Sequence, residues 1–363
     1  MSDRRTLVFR STTRWSSTRV LVSGIGVLAL VACGEQAPTA PAAAGARADL
    51  GTPSVTVTHY DAKSMAQYGQ MWANIYGPLE LAAGGTLSVS PSQGETETAV
   101  PFHVGADYSV FDHLKYMAVS TQSFAVPARG SLTFSVAISA STPGTIDGRV
   151  VHGCYGPPGS WDGVAACAQP WSATARQGQQ AGVVLNMINF ATGQLFDWFV
   201  SQDRVFALIE RLPSNVTNAS LLPTDPGYVG LSKAYTQIIR EGPVAAGRAH
   251  VVAITFSRDA TGSSVQYFLD GQLFARVNNV GIPLDVQGVP FTGTYPSLGA
   301  GEALASQLDS FVIGHGLFSL LDAFPFQHPE RPDLSVSIPM SQRLFGQGAV
   351  GNFQHFTVVQ ASY

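Results

Sequence analysis

The stretch His250-Val-Val-Ala-Ile-Thr-Phe-Ser-Arg-Asp-Ala-Thr-Gly-Ser-Ser-Val-Gln-Tyr-Phe-Leu-Asp-Gly-Gln-Leu-Phe-Ala-Arg-Val277 decides the fold class. Residues 251–256 are a β-branched and apolar run. A polar link over 257–264 follows, with Gly262 free to take a positive φ. The runs 265–269 and 272–277 then flank Asp270-Gly271. An Asp-Gly pair between two such runs specifies a type I′ hairpin, because both central residues of that turn need φ > 0. Three antiparallel strands in a row are predicted.

A two-residue turn also predicts a register. Leu269 faces Gln272, Phe268 faces Leu273, and Tyr267 faces Phe274. One face then carries Val265, Tyr267, Leu269 and Phe274; the other carries Phe268, Leu273, Ala275 and Val277. Both faces are apolar, which places the hairpin centrally in a sandwich or along a cleft, covered on both sides.

Outward from this stretch the same short-strand pattern recurs. Residues 55–58, 86–90 and 132–138 alternate with period two, and 149–152, 182–190, 194–200, 205–210 and 235–239 are further strand candidates. A last strand over 353–359 is expected to close back on the N-terminal strands. Residues 304–308 and 317–324 are the expected short helices. So many strands with almost no βα alternation predict an all-β sandwich over 55–363, read as one domain.

The N-terminus is different in kind. Arg4, Arg5, Arg10, Arg14 and Arg19 precede an apolar run over 20–32, too short to span a bilayer. It ends in Leu30-Val31-Ala32-Cys33, which resembles the bacterial lipobox. That implies a signal peptide over 1–32 and lipidation of Cys33; ordinary signal-peptide cleavage beside an incidental Cys is the alternative. An Ala/Pro-rich tether over 33–54 follows. The expectation is an exported protein of a bacterial cell envelope, meeting the membrane only through its lipid.

Charge narrows the partners. Residues 33–363 hold 15 basic and 23 acidic side chains, with three Lys. Such a chain has no footprint for nucleic acid or for an anionic membrane surface. No phosphate loop, nucleophile elbow or EF-hand loop occurs, and the eight His have no metal-ligand spacing on one element. No cofactor or metal is expected. His315, between Gly314 and Gly316, is read as a structural His.

The block from His250 to Leu273 resembles the strand–strand–Asp-Gly–strand unit of concanavalin-like jelly rolls, which include laminin-G-like domains and family-sixteen glycoside hydrolases. Residues 55–360 resemble a bacterial domain-of-unknown-function family of the same expected fold. The segments that carry this are Asp112-His-Leu-Lys-Tyr, Gly182-Val-Val-Leu-Asn-Met-Ile, Gln194-Leu-Phe-Asp-Trp-Phe-Val, Ala207-Leu-Ile-Glu-Arg-Leu-Pro and Phe311-Val-Ile-Gly-His-Gly-Leu-Phe. The resemblance implies a concanavalin-like jelly-roll β-sandwich with one or two short helices. It implies a glycan or polysaccharide as partner and brings no established activity. The Glu-x-Asp-x-Glu run of family-sixteen glycosidases is absent. Noncatalytic binding of a glycan or envelope component is therefore the first reading. A carbohydrate-active hydrolase or lyase and a structural envelope protein are the alternatives.

Three sets of candidate residues follow. Cys154 and Cys167 flank a Gly/Pro-rich loop and form a disulfide in an oxidising compartment; two free thiols are the alternative. Tyr155, Trp161 and Trp171 on the same stretch either stack on sugar rings or pack together as a small satellite core. The third set is Asp197 and Glu210. Runs 194–200 and 205–210 read as a hairpin closed by Ser201-Gln-Asp-Arg204, pairing Val200 with Val205, Asp197 with Leu208 and Leu195 with Glu210. One face is then apolar throughout. The other makes Asp197 and Glu210 diagonal neighbours beside Phe199 and Phe206, an apolar wall that raises a carboxyl pKa. Such a pair is a candidate acid and nucleophile or base for glycoside cleavage, or else two acids on a partly solvated face that pair with Arg.

Overall fold

Two kinds of strand build two kinds of sheet. A computed structural model describes residues 53–76, 80–81, 87–89, 116–156, 169–218, 220–290, 297, 299–318, 320, 327–328, 331–337 and 348–363. The leader, Cys33, the tether up to residue 52, Trp161 and Cys167 lie outside the described residues.

The early strands are β1 (Ser54–His59), β2 (Trp72–Tyr76), β3 (Glu80–Leu81), β4 (Leu87–Val89), β5 (Tyr116–Ser120), β6 (Phe124–Ala125) and β7 (Gly130–Ser141). The middle ones are β8 (Arg149–Gly156), β9 (Gln169–Ala175), β10 (Gly182–Asn189), β11 (Gln194–Val200), β12 (Arg204–Arg211) and β13 (Tyr235–Pro243). Then come β14 (His250–Arg258), β15 (Ser263–Leu269), β16 (Gln272–Asn278), β17 (Ser310–Phe318), β18 (Gln327–His328), β19 (Arg331–Ser337) and β20 (Val350–Ser362).

One sheet runs β16-β15-β14-β7-β20-β4-β3, with β1 also on β20. The second runs β13-β12-β11-β10-β17-β5-β2, with β6 also on β17. A smaller ribbon runs β18-β19-β8-β9. Every pairing is antiparallel. The chain passes repeatedly between the two large sheets: β5 in the second, β7 in the first, β10 to β13 in the second, β14 to β16 in the first, β17 in the second and β20 in the first. This winding is that of a jelly-roll sandwich, as the sequence predicts.

The strands of the first sheet alternate. In β7 buried and half-buried residues alternate from Gly130 to Ile138, so its outer side is partly solvated. In the second sheet β10 and β11 are buried at every position. That explains the unbroken run Gln194-Leu-Phe-Asp-Trp-Phe-Val200: both of its sides are covered. The core between the sheets joins Phe134, Ile254, Phe256 and Tyr267 to Leu185, Phe196, Trp198 and Phe311. Trp198 Nε1 donates across it to the Ala253 carbonyl at 2.8 Å, and the Tyr267 hydroxyl donates back to the Leu208 carbonyl.

The opening hairpin forms with both central residues at positive φ, Asp270 at 49° and Gly271 at 78°. Leu269 pairs with Gln272 and Phe268 with Leu273, as expected. Tyr267 then pairs with Ala275, not Phe274, because the register shifts at a bulge. The extra residue is Phe274. Its ring packs against Trp198 at 5.0 Å and under the Arg240 guanidinium at 4.6 Å. Arg240 Nη1 also donates to the Phe274 carbonyl at 2.6 Å. The bulge turns Ala275 and Val277 to the core beside Val265 and Tyr267, and leaves Leu273 53% exposed. The hairpin is therefore an edge, covered on one side, which corrects the expected two-sided burial.

The expected helix over 304–308 is corrected, as is the start of the one over 317–324; residues 321–324 lie outside the described residues. Residues 305–307 form a turn, and Leu317 and Phe318 belong to β17. Among the described residues the α-helices are short: Met65–Met71, Gln177–Gln180 and Ser214–Thr217. The first is capped by Ser64, whose hydroxyl accepts from the Gln67 N–H at 3.2 Å. The closing strand β20 does pair with β1 and β4, as expected.

Candidate functional site

The outer side of the second sheet carries a polar strip between two apolar patches. The β11–β12 register is the one the sequence predicts, Asp197 opposite Leu208 and Leu195 opposite Glu210; on β10, Asn186 lies opposite Asp197. Gly314 of β17 lies opposite Asn186, and Thr236 of β13 opposite Glu210. One patch is Val184, Phe199, Phe206, Leu208, Ile238 and Leu320. The other is Val119, Ile188 and Leu195. The expected apolar inner face, from Phe196 to Ile209, lies wholly in the core.

Asp197 is 4% exposed, and Glu210 is half-buried. A carboxylate in the middle of a strand, shut away from water, needs partners. Asn186 Nδ2 donates to Asp197 Oδ1 at 2.5 Å. Glu210 lies diagonally across from Asp197 on β12. Burial pushes Asp197 up to about 7, against the lowering influence of Asn186 and Glu210. The structure thus brings the two predicted acids onto one outer strip as diagonal neighbours on adjacent strands.

Two further groups were not singled out in the sequence. Asn186 Oδ1 and Thr236 Oγ1 are buried and find no hydrogen-bond partner. The signal for Asn186 was present: an Asn inside Val-Val-Leu-Asn-Met-Ile breaks an otherwise apolar strand. Thr236 gave none, since Thr suits any strand. Gly314 keeps the row open. A Cβ there would stand 3.2 Å from Asn186 Cβ and Oδ1 and from Ile188 Cδ1.

A family model matches residues 77–152 and 166–362, a range that includes every residue of this strip. The chain belongs to the DUF6081 family, a family of unknown function. No curated protein matches it. Among solved structures, this DUF6081 chain is similar to an endo-1,3-beta-glucanase from Streptomyces sioyaensis, at 11% identity and a TM-score of 0.41, over 88% of this chain and 99% of that one. It is similar to the carbohydrate binding module CBM66 from Bacillus subtilis at 10% identity and 0.30, over 81% and 96%. A legume lectin-like domain from Entamoeba histolytica matches at 6% identity and 0.31, over 84% and 95%. Likeness this distant assigns no activity or ligand to the DUF6081 chain.

The other predicted residues fall elsewhere. Tyr155 lies on β8 and Trp171 on β9 of the small ribbon, where Tyr155 is opposite Gln169 and Trp171 opposite Gly153. Cys154 is also on β8, opposite Pro170. Trp161 and Cys167 lie outside the described residues, so neither the aromatic cluster nor the disulfide is on view. His315 is fully buried in the core. Its Nε2 meets the Tyr68 hydroxyl at 3.0 Å, while Nδ1 has no partner. Trp72 and Phe353 rings stand 4.4 and 5.0 Å away, and burial holds its pKa down at about 3. Among the described residues no group of three or more His, Cys, Asp or Glu is placed to hold a metal ion.

Proposed function

We propose that this chain is a carbohydrate-binding jelly-roll domain, carried at a bacterial envelope by lipidated Cys33 and a tether over 33–54. One observation supports the site: buried Asn186 Oδ1 and Thr236 Oγ1 lack partners on a face that also carries Asp197, Glu210, Phe199 and Phe206. Each unpartnered buried polar atom costs about 1–3 kcal/mol. Convergent polar groups on an apolar, aromatic-lined surface are the chemistry of a hydroxyl-rich ligand. The binding is read as noncatalytic, because the Glu-x-Asp-x-Glu run of family-sixteen glycosidases is absent. Residues 55–363 act as one domain, with a Cys154–Cys167 bridge beside Tyr155, Trp161 and Trp171.

The test is a titration of the exported chain against a panel of oligosaccharides, with reducing ends assayed in the same tubes. Saturable binding without new reducing ends is expected. Release of reducing ends overturns the noncatalytic reading, and binding to nothing on the panel overturns the glycan reading. Cell fractionation tests the anchor: Cys33→Ser is expected to move the protein from membranes to the soluble fraction. A wild type already soluble removes the lipid.

A further inference from the structure

A sheet edge is a row of unpaired backbone N–H and C=O groups, and folded proteins blunt it with charge, Pro, a bulge or brevity. Among the described residues, every edge strand of the two large sheets but one follows that rule. β16 bulges at Phe274 and carries Arg276. β13 bulges at Ile239, carries Arg240 and Glu241 and ends in Pro243. β2 bulges at Ile75. β3 and β6 are two residues long, and β3 holds Glu80. The exception is β1. Its residues Ser54-Val-Thr-Val-Thr-His59 pair with β20 in unbroken register and include no Asp, Glu, Lys, Arg or Pro. The strand is open on both sides: Ser54 and Thr56 are exposed on one, and Val55 and Val57 on the other, at 67% and 52%.

We infer that β1 is a self-association edge, which pairs antiparallel with β1 of a second copy and joins the two first sheets into one. The occupant is a second copy on grounds of charge and symmetry. Residues 33–363 hold 15 basic and 23 acidic side chains, so two copies repel over most of their surface. They can meet at an uncharged strip, and antiparallel self-pairing of β1 sets no charge against its like. Both copies use the same strip, so the contact is isologous and closes as a two-fold dimer. A six-residue strand offers an edge only about 20 Å long. That is less than a standard interface, so the dimer is weak in solution. It gains from its position, because β1 follows directly on the tether, and a shared membrane would hold the edges of neighbouring copies at one level. The two-fold axis stands perpendicular to the first sheet. Both second sheets then lie on the same side of the joined sheet, with their outer strips facing one way. On the glycan reading, and only there, the dimer is bivalent.

The experiment is sedimentation velocity on the exported chain carrying Cys33→Ser, so that no lipid contributes, from about 5 μM to about 500 μM. A monomer–dimer equilibrium is expected, with no larger species. Val55→Lys combined with Val57→Lys places two charges from each copy at the joint. It is expected to raise the dissociation constant at least tenfold and to melt like the parent chain, since both side chains are exposed. Amide hydrogen exchange on the parent chain gives a reading that needs no edge variant: exchange within β1 is expected to slow as concentration rises. The inference is overturned by a monomer across the whole range, by assembly beyond a dimer, by a dimer that the double Lys variant leaves intact, or by β1 exchange that ignores concentration. If the double variant fails to fold, the exchange measurement decides. No sugar enters the experiment, so its failure leaves the glycan reading standing.

Discussion

Along β10 and β11 both sides of the second sheet are buried, yet they are built for different ends. On the inner side, Phe196, Trp198, Ala207 and Ile209 pack into the core, and the polar atoms that intrude are tied across it, as Trp198 Nε1 is to Ala253. On the outer side, Phe199 and Phe206 are as deep, at 1% and 0% exposure. Yet the same side carries two acids, an amide and a hydroxyl, and the amide oxygen and the hydroxyl go unpartnered. Depth alone does not separate a core from a site. What separates them is whether the polar atoms are satisfied from within. His315 is the inner side's exception, and there aromatic rings enclose the unpartnered nitrogen.

The comparison can be broken most easily at Trp198. Trp198→Ala removes the largest fully buried side chain and a cross-sheet hydrogen bond. It is expected to cost about 3–5 kcal/mol in urea denaturation, whereas Asp197→Asn should cost about 1 kcal/mol or less. Equal losses would mean that the outer side is simply a second core.

Acid titration separates the two sides by sign. His315 has a depressed pKa, so the unfolded chain takes up its proton first, and this group removes stability as pH falls from about 6.5 toward about 3. Asp197 has a raised pKa, so the folded chain keeps its proton longer. This group adds stability as pH falls from about 7 toward its ordinary value of 3.8. Each slope is at most about 1.4 kcal/mol per pH unit. Melting curves from pH 4 to 7 should show acid loss relieved by His315→Gln and acid gain abolished by Asp197→Asn. Two slopes of one sign would contradict the contrast.

Gly314→Ala is the finest probe. Its Cβ would crowd Asn186 and Ile188 on the outer side. We expect about 1 kcal/mol of stability to be lost, with a larger proportional loss of ligand affinity. Loss of stability without loss of affinity would show that Asn186 does not help to shape the site.

Two hairpins show how far the sequence could be read. Over Gln194–Arg211 the predicted register holds along the whole pair, since the four-residue loop and a one-sided apolar pattern agree on it. The meeting of Asp197 and Glu210 was legible for that reason. At Asp270-Gly271 the turn held and the register did not, because turn chemistry governs only the pairs next to it. Phe274 gained more from Trp198 and Arg240 on the other sheet than from staying opposite Tyr267. A similar event occurs in β20, where the register shifts between Gln354 and Thr357, with His355 at φ 62° and Phe356 turned into the core.

Local patterning, period-two alternation and the Asp-Gly turn were thus enough to determine an antiparallel β-sandwich and the strands that carry the acids, because these depend on neighbours along the chain. Tertiary structure alone decided which hairpin face is covered, where the bulges fall, and that Asn186 and Thr236 join the acids with atoms left unpaired. Those outcomes depend on strands that meet from 11 residues apart, as Asn186 and Asp197 do, to 128 apart, as Asn186 and Gly314 do, and no short-range pattern encodes which groups will exhaust each other's hydrogen bonds.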